Sequence, residues 1–167
     1  STRDYWTINV EASEALMHLA IDAGVMRFIY GSSIKAIAPD DDYGRSKQAA
    51  EKRLLALGQA YGVQFSILQP ALVYGVPLKG NLLKLLRAID KGWFPPLPET
   101  HNKRSLVSLE DVVTVACLVA EDPRTPDQVQ NALYVISDGI AYSTRQIYDA
   151  MREALGLSPC KGSIPLW

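Results

Sequence analysis

The sequence has little cysteine, little histidine and no excess of either charge. Its 167 residues include two cysteines, Cys117 and Cys160, too few for a disulfide framework or a thiolate cage. Two free thiols fit a reducing compartment, so a cytoplasmic protein is expected. The two histidines, His18 and His101, stand in no Cys or acidic cluster, so no metal site is expected. Lys plus Arg is 17 and Asp plus Glu is 18, a net charge of −1, without the basic excess of a nucleic-acid binder. No apolar run approaches the roughly 20 residues that cross a bilayer. The most apolar stretch, Val112 to Ala120, is too short, so no transmembrane segment is expected. The opening Ser1-Thr2-Arg3-Asp4-Tyr5-Trp6 carries no initiator Met and no leader pattern, and reads as the middle of a protein.

What is present is an ordinary globular mix, 48% hydrophobic and 21% charged. A chain of this size buries roughly 68–70% of its unfolded surface, enough for a real core. The pattern is α/β. Apolar positions Ile8, Ala12, Ala15, Leu16, Leu19 and Ala20 recur at helical spacing between about Asp4 and Ala23, and Gly24 stands where a helix ends. Val25 to Tyr30 reads as a short strand followed by Gly31-Ser32-Ser33. A second helix runs from Tyr43 to Tyr61, with Asp42 as its N-cap and Ala49, Ala50, Leu54, Leu55 and Leu57 as its apolar face; Gly62 closes it. Val63 to Leu68 is the next strand. Strands joined by helix-length crossovers imply a parallel sheet, whose ligands sit at the carboxyl ends of the strands. Beyond Gly75, helices are expected at Asn81–Asp90, Asp111–Glu121 and Ser143–Leu155, with Ser143 as N-cap, and strands at Leu106–Leu109 and Leu133–Ser137. Trp93, Phe94 and the prolines after them either pack this part of the chain or border a ligand.

Chemistry concentrates in Tyr43-Gly44-Arg45-Ser46-Lys47. A spacing of four puts Tyr43 and Lys47 on one helix face. A free tyrosine has a pKa near ~10 and is a weak base at neutral pH. A neighbouring ammonium favours the phenolate and lowers that pKa, so the phenol can take a proton from an alcohol. Taken alone, the spacing also describes an exposed ion-pairing face. Ser33 ends the strand just upstream, where its hydroxyl can hold a substrate oxygen or simply make a turn. Asn9 lies on the first helix, where its amide can order water or the lysine, or merely cap the helix surface.

Taken in order, these segments resemble the extended short-chain dehydrogenase/reductases, within the NAD-dependent epimerase/dehydratase family. They are Asn9-Val10-Glu11-Ala12-Ser13, Gly24 through Lys35, Tyr43 through Lys47 with Ala50-Glu51, Leu68-Gln69-Pro70-Ala71-Leu72-Val73-Tyr74-Gly75, Lys79-Gly80-Asn81, Asn102 through Ser108 and Ser137-Asp138-Gly139. The run from Lys79 through Asp138 looks most like nucleotide-sugar 4-epimerases. The resemblance implies a partial Rossmann-type parallel sheet with helices on both faces, plus a small mixed substrate-binding lobe. It implies Tyr43 as catalytic base, Lys47 as its partner and ribose ligand, Ser33 as the hydroxyl that orients the substrate alcohol, and Asn9 as support. Pro70, Ala71 and Leu72 correspond to the stretch lining the nicotinamide. Asn81 and Arg104 correspond to residues at the nucleotide-sugar diphosphate, where a guanidinium fork suits phosphate oxygens; outside the resemblance, Asn81 is also a helix N-cap and Arg104 a solvated charge.

The implied activity is NAD-dependent epimerisation of a nucleotide sugar at C4 (UDP-glucose/galactose or an N-acetylated equivalent) through a 4-keto intermediate, with NADP as the alternative cofactor. A dehydratase, a keto-sugar reductase or a hydroxysteroid-type dehydrogenase shares the fold. A truncated, non-catalytic cofactor-binding module is the alternative of another class. Residues 1–75 would form the nicotinamide-side half and residues 76–167 mainly the nucleotide-sugar lobe, leaving open whether the strand at about 133–137 returns to the sheet. A homodimer through helices 8–23 and 43–61 is implied. The sequence departs from the family at four points. Gln69 stands where Arg often precedes Pro70, and Gly31 replaces a more usual Ser or Val. Only nine residues separate Ser33 from Tyr43. No Gly-x-Gly-x-x-Gly turn for a dinucleotide pyrophosphate occurs, so the chain reads as a carboxyl-terminal portion, inactive alone.

Overall fold

In the computed structural model the described residues are 2–78, 80–93, 102–123 and 131–158. The expectations for Lys79, for Phe94 with the prolines after it, for His101 and for Cys160 fall outside them. The chain divides into two compact units, Ser1–Ala71 with Asp111–Ile136, and Leu72–Glu110 with Ser137–Trp167.

The first unit opens with a helix of changing pitch: α1 (Thr2–Trp6), a wider π-type turn over Thr7–Ala12, and α2 (Ser13–Asp22). Strand β1 (Arg27–Gly31), a 3₁₀ turn at Ile34–Ala36, helix α3 (Asp42–Tyr61) and strand β2 (Gln64–Pro70) follow. β1 pairs parallel with β2 from Arg27↔Gln64 to Gly31↔Leu68. β2 also pairs parallel with a later strand, β5 (Ala132–Ile136), giving the order β1-β2-β5. The sheet is therefore parallel, and the strand expected near 133–137 joins it.

Helix α3 packs against β2, and α2 packs against α3. Their core is Val10, Met17, Tyr30, Ala50, Leu54, Val63, Phe65 and Ile67, with Leu55, Leu57 and Ala49 partly buried beside it. Burying side chains such as Phe65 and Leu54, both 0% exposed, contributes roughly 1.5–3 kcal/mol each. The first helix departs from its expected face. Ile8, Leu16 and Leu19 are 66%, 58% and 66% exposed, whereas Val10 and Met17 are buried. The wide turn at Thr7–Ala12 shifts the helical phase between the two halves, so one 3.6-residue stripe does not describe both.

The N-cap of α3 also differs from expectation. It is Asp41, with an extended backbone (φ −130°), whose Oδ1 accepts the Gly44 N–H at 2.7 Å. Asp42 is instead the first helical residue, pairing with Arg45 at 2.7 Å. Three adjacent aspartates offer three possible caps; the 3₁₀ turn after Ser33 settles which one meets the helix end. Gly62 closes α3 in the left-handed conformation at φ 66°.

The second unit holds β3 (Leu72–Tyr74), α4 (Gly80–Asp90), β4 (Arg104–Ser108), β6 (Ala141–Tyr142) and α6 (Thr144–Ala154). β3 pairs parallel and β6 antiparallel with β4, a mixed sheet. Helix α5 (Leu109–Ala120) leads from the second unit into the first. Leu82, Leu106 and Ile147 form the core of the second unit. Ser143 caps α6 in a reciprocal box with Gln146. Trp93 is 76% exposed under the Lys91 ammonium, 4.8 Å from its ring centre, and does not pack the unit. Among the described residues no helix is long and apolar enough to cross a membrane.

Candidate active site

The carboxyl end of β1 and the first turn of α3 meet in the first unit. Ser33 leaves the strand and caps the 3₁₀ turn, its Oγ accepting the Lys35 N–H at 3.3 Å. The short connection then closes on itself. Lys35 pairs with the cap residue Asp41, and Gly44 sits so near that a Cβ there would lie 2.6 Å from the Lys35 carbonyl. Nine residues suffice because the turn, the ion pair and the tight glycine fold them back. Tyr43 is thereby brought near Ser33, whose hydroxyl acts on its phenol.

Electrostatically, Tyr43 differs from the simple Tyr–Lys picture. Burial pushes its phenol above the ordinary tyrosine value; the Ser33 hydroxyl and the Lys35 ammonium pull it back only in part. Lys47 lies on the same face, but its Nζ is 6.0 Å from the Tyr43 ring centre and closer, 4.8 Å, to the Tyr30 ring. It donates to the Gly31 carbonyl at 2.9 Å. Burial lowers its pKa, opposed by the Glu51 charge. An ammonium has three N–H donors, so Gly31 leaves capacity for a ligand hydroxyl.

Asn9 does not face the lysine with its amide. Its Nδ2 donates to Ser46 Oγ at 2.9 Å, and Ser46 Oγ donates to the Tyr43 carbonyl at 2.8 Å. The wide turn is thus tied to the backbone that carries Tyr43. The Asn9 carbonyl accepts from the Tyr30 hydroxyl at 3.3 Å. Burial raises Tyr30 to about 12, which keeps it neutral under the Lys47 ammonium.

Pro70 and Ala71 lie at the carboxyl end of β2, half-buried and buried. The Ala71 N–H is spent on the Ile136 carbonyl at 2.9 Å. Leu72, Asn81 and Arg104 belong to the second unit. Asn81 is exposed in the first turn of α4, inside the helix rather than capping it, and Arg104 is exposed at the start of β4. An apolar cavity of about 290 Å³ in that unit is lined by Val73, Tyr74, Gly75, Pro77, Leu78 and Leu109, and includes neither Asn81 nor Arg104.

Tyr30, Lys35 and Ser46 are the residues sequence reasoning passed over. Ser46 was legible in principle, three residues from Tyr43 and within the motif. Tyr30 follows Phe28 by two residues, the spacing that puts both on one face of the strand.

The model of the NAD dependent epimerase/dehydratase family matches residues 1–136. A UDP-glucose 4-epimerase of Vibrio cholerae is 35% identical over 182 residues, covering 98% of this chain and 54% of that protein. The dTDP-glucose 4,6-dehydratase DesIV of Streptomyces venezuelae, solved with NAD bound, superposes with a TM-score of 0.80 at 20% identity, over 95% of this chain and 53% of that one. The UDP-glucose 4-epimerase of Thermotoga maritima, solved with UDP-glucose, does so with a TM-score of 0.76 at 23% identity, over 96% and 59%. The two superpositions show a shared fold. The chain spans about half the length of these relatives.

Proposed function

Because the chain belongs to the NAD dependent epimerase/dehydratase family, we propose that it supplies the acid–base centre of an enzyme that epimerises a nucleotide sugar at C4. The substrate would be UDP-glucose and UDP-galactose or their N-acetylated equivalents. The observation that carries this reading is the Ser33–Tyr43 hydroxyl pair at the carboxyl end of a parallel strand, with Lys47 one turn along. In this reading the first unit holds the nicotinamide side and the second the sugar nucleotide.

The donor set fits the nicotinamide-ribose end of NAD: an ammonium with spare N–H groups and a buried Ser32 Oγ that has no hydrogen-bond partner among the described residues, at the end of the strand that neighbours the one running into Pro70 and Ala71. No glycine-rich turn for the pyrophosphate occurs in this sequence, so the fit extends to that end alone. NAD when bound would supply the redox chemistry at the sugar C4, with NADP the alternative. The chain's own part is proton handling. Ser33 would hold the 4-hydroxyl, and Tyr43 would take its proton as the 4-keto sugar forms. Once the keto sugar has turned over in the site, with the other face of C4 toward the nicotinamide side, Tyr43 would return the proton to the 4-oxygen. Lys47 would bind the ribose hydroxyls. Arg104 and Asn81 would meet the diphosphate.

Dehydration is disfavoured, since Ser33 is followed by Ile34 and by Lys35, which is occupied with Asp41. Incubating the full-length protein with UDP-glucose and NAD, and separating the sugars by chromatography, tests the proposal. UDP-galactose at equilibrium supports it. A 4-keto-6-deoxy product, or net consumption of reduced cofactor, overturns it in favour of a dehydratase or a reductase.

A further inference from the structure

One turn beyond Lys47, helix α3 buries an acid. Glu51 is 8% exposed and Gln69, on β2, is 2% exposed. Gln69 Nε2 donates to Glu51 Oε1 at 2.8 Å, and Gln69 Oε1 is buried with no partner among the described residues. A carboxylate withdrawn from water needs both donors and opposite charge. A glutamine amide provides N–H donors and no charge, so the cation must come from elsewhere. Lys47 lies four residues before Glu51 on the same helix, within reach of its charge.

Among the described residues, the groups facing Lys47 leave little choice of anion. Helix α3 presents Tyr43 and Glu51. Strand β1 presents the Gly31 carbonyl and the ring of Tyr30, a phenol kept neutral by burial. β2 presents the neutral Gln69 to Glu51. We infer that Glu51, held by Gln69, is a positioning residue whose carboxylate is the counter-charge of the Lys47 ammonium. Gln69 suits this better than an arginine would: a guanidinium there would neutralise Glu51 and repel Lys47. The consequence for ribose binding rests on the epimerase reading above; the pairing itself does not.

The test is a titration of Lys47 by NMR in the full-length protein with 13C-labelled lysine, the signal assigned by its loss in Lys47→Met. Glu51→Gln keeps the side-chain shape and removes the charge. Its expected effect is a fall of about one pH unit in the Lys47 titration. Glu51→Asp, which keeps the charge, should restore most of it. Should the glutamine pair distort the helix, Glu51→Ala is the second neutral variant. In turnover, the alkaline limb of the pH profile should move to lower pH with the Lys47 titration, and KM for NAD should rise. An unmoved Lys47 titration in a folded neutral variant overturns the inference. A moved titration with an unchanged turnover profile upholds the pairing and overturns the ribose role of Lys47.

Discussion

Tyr43 is asked to act as a base where its anion is disfavoured. Burial raises its pKa, while a hydroxyl and a nearby ammonium oppose the rise without cancelling it. Without ligand, therefore, Tyr43 should titrate above free tyrosine, ~10. Subtracting the tyrosinate absorbance of Tyr43→Phe from that of the parent isolates the step, and a step at or below the free value would contradict the geometry. In turnover, Tyr43→Phe removes the base, a loss of about 10²–10⁴-fold. Tyr30 gives a stability counterpart. Its pKa is 10.0 when free and about 12 when folded. Below pH 10 both states hold the proton. Between the two values the unfolded chain ionises first, so stability falls as pH rises. Tyr30→Phe should flatten that alkaline slope in denaturant titrations repeated across pH. That Tyr43 and Lys47 share a helix face was legible because helical spacing fixes it. The balance at Tyr43 was not, because it depends on burial and on Lys35, whose approach comes from the fold of the connection.

At the scale of elements, the connection between β1 and α3 decides where Ser33 and Tyr43 meet. Its anchor is Asp41, which both caps α3 and pairs with Lys35. Losing a side-chain cap costs about 1 kcal/mol, or roughly 2–4 °C in Tm for a chain of this size. Asp41→Ala should show that fall in a thermal melt. Asp42→Ala, at an exposed ion pair, should leave the melt almost unchanged. Equal falls would mean that the cap has been misassigned. Gly44→Ala should be worse than either in both stability and turnover. Its Cβ would meet backbone, the Lys35 carbonyl at 2.6 Å, and backbone cannot step aside as a flexible side chain can. The helices and the longer strands were readable from hydrophobic period and from Gly24, Gly62 and Ser143; β3 and β6, of three and two residues, were too short to show a period. The cap and the wide turn were not: three aspartates in a row carry no signal for which one is used, and a change of helical pitch leaves no mark in a 3.6-residue pattern.

For the molecule as a whole, the wide turn leaves a consequence on the surface. By shifting the phase of the first helix, it buries Val10 and Met17 and turns Ile8, Leu16 and Leu19 outward. Tyr61, at the far end of α3, is also 57% exposed and stacks edge-on with His18 of α2. Scattered apolar residues on a surface need no explanation, but an apolar row along a helix that packs beside a second long helix does. We propose that these two helices pair with those of a second copy, the association that the family resemblance implies. Burying a leucine stabilises by roughly 1.5–3 kcal/mol, so two leucines on each of two copies form a substantial part of such an interface. Leu16→Lys with Leu19→Glu removes the apolar row, keeps the net charge and spares the buried face formed by Val10 and Met17. Sedimentation equilibrium of the full-length protein should give a dimer for the parent and a monomer for the double variant, with the thermal melt reporting that the fold persists. A parent that sediments as a monomer at every concentration would leave the exposed row without a partner of its own kind. A double variant that remains dimeric would move the interface off this face.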